Sequence, residues 1–371
     1  MHKIDTDLLT NLFLELARID ALSLHERPVN DFILQKIQEW GFSGVEDDAG
    51  LKTGGNAGNL VITVKGEGQP TLFLCAHTDT VRPTRDLQPQ INDGTISSDG
   101  STILGADNRA GCAILLYLLY QASKNRIKFN SFQVVFTIAE EIGLLGAKNI
   151  DWTLVKPERG FVFDCSRLPG DYIATASTAV KFFMDILGHP AHAGVSPEKG
   201  INALQMATEV LIAFPVGRVD EETVANIGII RGGDGTNVVP HMIHIEGEIR
   251  SLNDDTIANM VKNLKDSLQA VSEKYGGSFT FNLKEEFMGY KIDEQDELTR
   301  HLHRNMKKIG LAPSPQVYAG GSDANAINLI GKKAINLGIG QRNPHANNEH
   351  IAIADLAKAT ELAIALVATD A

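Results

Sequence analysis

Cysteine is scarce in this chain: Cys75, Cys112 and Cys165 are the three among 371 residues. Their odd number and wide spacing exclude a disulfide framework and a Cys-x-x-Cys metal site, and fit reduced thiols in an intracellular protein. Long apolar runs are missing as well. The longest, around residues 112–119, falls far short of the roughly 20 residues that span a bilayer. Basic residues are outnumbered, with 34 Lys and Arg against 46 Asp and Glu, for a formal net charge of −12. No Lys/Arg block is long enough to neutralise a phosphate backbone, which argues against nucleic acid as a partner. The opening MHKIDTDLLTNLFLELARID interleaves acids with apolar residues and has no small-residue cleavage site, so it does not read as a signal peptide. Aromatics are only 6%, yet the 43% hydrophobic fraction is ordinary and excludes wholesale disorder.

At roughly 150 residues per domain, the length predicts two to three domains. Leu8, Leu9, Leu12, Phe13 and Leu16 recur at helical spacing, as do Phe32, Ile33, Ile37 and Trp40, with Gly41 as a stop. Strand-like runs follow at NLVITVKG (59–66), TLFLCAH (71–77), SFQVVFTIAE (131–140) and FVFDC (161–165). Their near-continuous apolar character is that of strands covered on both faces. A helical stretch over 108–124 separates the second run from the third, which makes the class α/β. From about residue 179 the texture becomes strand, helix, strand, strand, helix, strand, the βαββαβ pattern of a small α+β domain. After about residue 290 the α/β texture returns, ending in a helix from about Ile353. The expected organisation is an α/β domain with a central mixed sheet and covering helices, formed by 1–177 and 291–371 and interrupted by an inserted α+β domain over 178–290.

Three of the four core strands end in groups that bind metals. FLCAHTDT puts His77 and Asp79 just past one strand end, FTIAEEIG puts Glu140 and Glu141 at another, and FVFDCS puts Asp164 at a third. The carboxyl edge of a sheet is where α/β proteins place their sites. One such residue alone reads as structural, but five gathered at strand ends would be costly to bury unpaired. Imidazole and carboxylate ligands suit zinc, cobalt or manganese better than calcium, which prefers all-oxygen cages. A carboxylate two residues from a ligating His accepts its second ring N–H and fixes the tautomer, the role assigned to Asp79. In the Glu140–Glu141 pair one side chain can ligate while the other handles a proton. Asp107, in TILGADNRAG, reads either as an ordinary helix N-cap or as a further carboxylate of the site.

In combination, HTDT, GADNRAG, AEEIGLLGA and FDC resemble the co-catalytic two-metal peptidase family that contains peptidase T, aminoacylase, carboxypeptidase G and succinyl-diaminopimelate desuccinylase. The likeness runs over nearly the whole chain, including the inserted segment and the closing PHANNEH. It implies that His77 and Asp164 bind one metal, that Glu141 and His345 bind the other, and that Asp107 bridges them. It makes Asp79 the residue that orients His77 and Glu140 the general base. Of the two late histidines, the family motif favours His345 over His350, because an acid, Glu349, follows His345 four residues on. The metals are expected to be zinc, with manganese or cobalt as alternatives. The same pattern points to His192, in GHPAHAG, as a donor to the oxyanion that reaches across a homodimer, and makes the inserted segment a lid and dimerisation domain. Asn237 in GTNVVP, Arg250 in EIRS, and Gly320 and Gly321 in GGSDAN are the expected substrate contacts.

Within the family, ISSDGSTILGADNRAG reads most like the peptidase T branch, and implies a cytoplasmic enzyme that removes the N-terminal residue of short peptides. The departures are HTDT where a Met would stand between His and Asp, FDCS where glycines would follow the Asp, and a different closing loop. An N-acyl-amino-acid amidohydrolase or carboxypeptidase that grips a free carboxylate with Arg250 is the competing hydrolase. A non-catalytic metal or peptide binder is the competing reading from another class.

Overall fold

The computed structural model describes residues 4–125 and 127–369. The chain forms two compact units, Met1–Thr175 with Tyr290–Ala371, and Ala176–Gly289.

The first unit is built on a nine-stranded mixed sheet. Its centre is four parallel strands in the spatial order Asn130–Thr137, Glu67–His77, Arg159–Cys165, Lys333–Gly338. Leu60–Val64 and then Gly44–Glu46 extend one flank antiparallel. On the other flank Asp171–Ala176 runs antiparallel to Lys333–Gly338 and carries Tyr290–Lys291 and Ser314–Tyr318. Side chains of the central strands alternate between two covered faces. Leu72, Leu74 and Ala76 enter one core, and Phe73 and Cys75 enter the other. Burial on both sides explains why these strands read as unbroken apolar runs.

The helix Ala106–Ser123, with fifteen buried residues, covers the first face beside Thr6–Ala17 and Ile353–Val367. Asp323–Leu329 covers the second through Ala324 and Ile327. Chain order reverses around the strand Glu67–His77. The next parallel strand, Asn130–Thr137, lies on one side of it, and Arg159–Cys165 then returns on the other. Such a switch point opens a crevice beyond the carboxyl ends of the strands.

Two local details depart from the sequence reading. The strand predicted to reach residue 140 ends at Thr137, so Glu140 and Glu141 stand on a turn beyond it. Asp107 does not cap its helix: Gly105 occupies the N-cap, and Asp107 has extended backbone angles, φ −84° and ψ 104°. A small four-stranded antiparallel sheet, Gln341–Arg342, His350–Ala352, Thr95–Ser98 and Pro89–Asn92, was not legible at all. Its strands are too short to show a period, and they tie the loop 343–349 down at both ends.

The second unit is a five-stranded antiparallel sheet in the order Gly217–Arg218, Thr223–Gly232, Met242–Ser251, Thr178–Leu187, Ser278–Phe287. Helices Ala203–Ala213 and Asp254–Tyr275 bury one face of it, with Leu264 and Leu268 of the longer helix in the same core as Phe182, Met184 and Ile245 of the sheet. The short strand Gly217–Arg218 is the addition to the expected element order.

Candidate active site

His77 closes its strand and is 1% exposed. Its Nδ1 lies 3.2 Å from Asp79 Oδ1, and a carboxylate only accepts, so Nδ1 carries the proton and Nε2 is left for the site. Asp79 is fully buried. Burial alone would raise its pKa, but the bonds from His77 and from Ser23 Oγ, 2.6 Å away, outweigh it and hold the carboxyl below its usual range. Asp79 also accepts the backbone N–H groups of Glu140 at 3.1 Å and Glu141 at 3.2 Å. One carboxylate therefore orients the imidazole and fixes the turn that carries the Glu pair.

His77 Nε2 lies 3.2 Å from Asp107 Oδ1, 3.3 Å from Asp164 Oδ1 and 4.0 Å from Glu140 Oε2. The other oxygen of Asp107 faces a different pair: His345 Nε2 is 3.2 Å from Asp107 Oδ2 and 3.1 Å from Glu141 Oε2. Asp107 is thus shared between two donor clusters, one with His77 and Asp164, the other with Glu141 and His345. Within each set the donor atoms lie within 4.8 Å of one another. Asp107 itself is held by Glu349, whose two oxygens accept the N–H groups of Gly105 and Asp107.

The electrostatics follow from crowding acids around two imidazoles. Burial pushes Asp164 up to about 8 and Glu140 well above the usual carboxylate range. Asp107, also buried, is driven the other way by its bonds to His345 and His77. Burial opposes protonation of His77, but the charges of Asp164, Asp107 and Asp79 overcome it and raise its pKa; Asp107 and Glu141 raise His345 to about 10. Glu141 Oε1 is buried with no hydrogen-bond partner. An orphaned carboxylate oxygen beside further buried acids is expensive unless cations balance it. The donor set, two imidazoles and several carboxylates with one of them shared, fits two divalent ions of the zinc, cobalt or manganese type.

His350 lies in the strand His350–Ala352, its Nδ1 3.0 Å from the carbonyl of Asn348, and belongs to none of the clusters. Gly320 and Gly321 follow the strand Ser314–Tyr318, and a Cβ on Gly320 would sit 2.4 Å from the Tyr318 ring. In the second unit His192 and Asn237 stand together: Ala193 N donates to the Asn237 carbonyl at 2.9 Å, and Gly194 N donates to His192 Nδ1 at 3.2 Å. Arg250 donates from Nε and Nη2 to both oxygens of Glu248, each at 3.1 Å, and lies over the Phe287 ring.

Sequence reading passed over several buried polar residues of this region. Ser23 and Glu26 lie in the loop before the second helix, and Glu26 sits at its N-cap position without capping it. Asp323 is 1% exposed, bonded to Thr137 Oγ1, and pushed up to about 6 by burial. Arg109 is fully buried. The signal available for Asp323 was an acid inside a segment otherwise destined for the core.

The profile of Peptidase family M20/M25/M40 matches residues 73–369. The chain belongs to this family. It is a peptide-bond hydrolase by that membership, and every residue of the two clusters lies inside the matched span. Among relatives of this M20 peptidase, the uncharacterized protein YqjE of Bacillus subtilis is 35% identical over 96% of both chains. Peptidase T of Clostridium perfringens is 27% identical over 73% of this chain and 67% of its own. Among solved structures, aminopeptidase PepT of Bacillus cereus superposes with a TM-score of 0.91 at 34% identity, covering 99% of both chains. A tripeptidase of Staphylococcus aureus superposes with a TM-score of 0.94 at 32% identity, covering 99% of this chain and 98% of the other.

Proposed function

We propose that this M20 peptidase is a two-metal aminopeptidase of the peptidase T type that removes the N-terminal residue of short peptides, tripeptides foremost. The observation that carries the reading is the division of Asp107 between two donor clusters with the Glu140 carboxylate beside them. The names of the relatives, aminopeptidase PepT, tripeptidase and peptidase T, support the substrate class. The acylase reading needed Arg250 for a free carboxylate, and Glu248 occupies both of the donors named above.

In this reading His77 and Asp164 hold one metal, Glu141 and His345 the other, and Asp107 both, with zinc favoured by the mixed imidazole and carboxylate set. When bound, such a pair would lower the pKa of a water and polarise the scissile carbonyl. Glu140 takes the proton of the attacking water and passes it to the leaving amine. Its burial suits it to this, since burial raises the carboxyl's affinity for a proton above that of an ordinary carboxylate. Asp79 keeps His77 in the Nδ1–H tautomer throughout. His192 and Asn237, paired on adjacent loops of the second unit, donate to the developing oxyanion. Gly320 and Gly321 contact substrate, while Arg250 is held on Glu248. The protein works as a homodimer through Ala176–Gly289, the inserted unit that the family likeness makes a lid and dimerisation domain. A cytoplasmic location is supported by three buried free cysteines; none of the described helices is long and apolar enough to cross a membrane.

The test is hydrolysis, with and without a chelator, of tripeptides with free termini, the same peptides N-acetylated, and N-acetyl amino acids. Cleavage of the free-amine peptides alone, lost on chelation and restored by zinc, manganese or cobalt, is the expected result. Turnover of the acetylated compounds refutes the aminopeptidase reading. In the same assay Glu140→Gln should lose about 10²–10⁴-fold in kcat with both metals retained, and near-normal turnover would remove Glu140 from the general-base role.

A further inference from the structure

The turn that presents Glu140 is held by carboxylates along its backbone. Ala139, immediately before it, has φ +48°, a left-handed conformation that a residue with a Cβ adopts only when its surroundings impose it. The N–H of Ala139 donates to Glu26 Oε1 at 2.9 Å. The next two N–H groups, of Glu140 and Glu141, donate to Asp79. Three consecutive amides therefore end on two buried side chains from elsewhere in the sequence.

Glu26 does more than satisfy one donor. The same Oε1 accepts the N–H of Leu24 at 2.8 Å, and Leu24 is itself left-handed, with φ +71°. A single oxygen thus clamps a left-handed residue of the 20–26 loop to a left-handed residue of the Glu140 turn. That loop is braced in turn: Ser23 donates to Asp79, Thr80 N donates to the Ala21 carbonyl at 3.1 Å, and Arg109 Nη2 reaches the carbonyls of Ile19 and Ala21. Glu26 is 0% exposed, and its second oxygen has no hydrogen-bond partner. A buried carboxylate satisfied at only one oxygen costs stability, and an apolar residue would serve packing better.

We propose that Glu26 is a positioning residue of the reaction, fixing the Ala139–Glu140–Glu141 turn so that the Glu140 carboxylate is held where the attacking water is deprotonated. The inference rests on the assignment of Glu140 as general base. Glu26 touches neither metal cluster among the described contacts, and it acts on chemistry through backbone placement alone. Side chains that position a reacting group are worth up to about 10²-fold in rate for a misplacement of about 1 Å.

The experiment compares Glu26→Ala, Glu26→Asp and Glu26→Gln with wild type on a free-amine tripeptide, recording kcat, KM, metal content and thermal midpoint. Glutamine keeps an acceptor oxygen at the same reach. Aspartate keeps the charge but is one methylene short of Ala139. Expected is a fall in kcat of about 10-fold to 10²-fold for Ala and Asp, with KM within about twofold and both metals retained, and a kcat for Gln within about fivefold of wild type. Wild-type kcat in Glu26→Ala overturns the proposal, as does a loss that excess metal restores, which would make Glu26 part of the metal scaffold. If Glu26→Ala does not fold, the order of the other two decides, and Asp equal to or faster than Gln overturns it. Inactivity of wild type on every peptide, or an active Glu140→Gln, would instead refute the function or the base assignment beneath it.

Discussion

The carboxylate of Glu349 accepts the backbone N–H of Asp107 at 2.8 Å across 242 residues of sequence. Its other oxygen takes the N–H of Gly105 at 2.7 Å, so the loop 343–349 supplies both His345 and the brace for the carboxylate that His345 shares with His77. Glu349 is 0% exposed. Replacing it with alanine leaves two amides without acceptors and frees a residue whose backbone is already outside helical geometry. Glu349→Ala should therefore weaken metal binding by about 10–100-fold, the usual effect of losing a residue that orients ligands. Competition against a calibrated chelator checks it, and an unchanged affinity would refute the bracing role.

Much of this arrangement was legible in the chain itself. His77, Asp164 and the Glu140–Glu141 pair announced themselves because each ends or follows an apolar run, and the runs are apolar because the central strands are covered on both faces. His345 was not legible from local pattern, since a histidine in a Pro/Asn-rich loop has no period to sit in, and only the family likeness singled it out. Glu26 and Ser23 escaped for another reason. Their partners, Ala139 N–H and Asp79 Oδ2, are 113 and 56 residues away, and a polar residue before a helix reads first as a cap. The small sheet that anchors 343–349 was invisible because its strands run to four residues at most.

Glu26 should also mark the pH dependence of stability. Burial, with the charge of Asp79 added, raises its carboxyl from 4.5 to about 7 in the folded chain. Between those values the folded protein holds a proton that the unfolded chain has released, so stability falls as pH rises. The contribution is whole below pH 4.5 and gone above about pH 7. Its size is on the order of 1–3 kcal/mol. Glu26→Gln cannot ionise and escapes the loss. With metal chelated, the thermal midpoint of the variant relative to wild type should rise from pH 5 to pH 8; a difference independent of pH would mean that the carboxyl is not raised.

Gly111 tests how the two sides of the site are held in register. It lies in the helix Ala106–Ser123, four residues after Asp107, and a Cβ there would stand 2.2 Å from the carbonyl oxygen of Phe163, the residue before Asp164. It would also stand 2.4 Å from Asn108 Oδ1, which accepts the Gly111 N–H at 3.0 Å. The side chain of Asn108 can give way, but the carbonyl cannot move without its strand. Alanine gains about 1 kcal/mol over glycine within a helix, while forcing a methyl into a closed contact costs about 1–3 kcal/mol. At 2.2 Å the clash wins, and the chelated Gly111→Ala protein should melt a few degrees below wild type. Because relief comes from separating helix and strand, Asp107 and Asp164 move apart, and metal affinity should fall together with stability. A variant that loses stability but keeps full affinity would show that the helix start holds Asp107 in place independently of the strand.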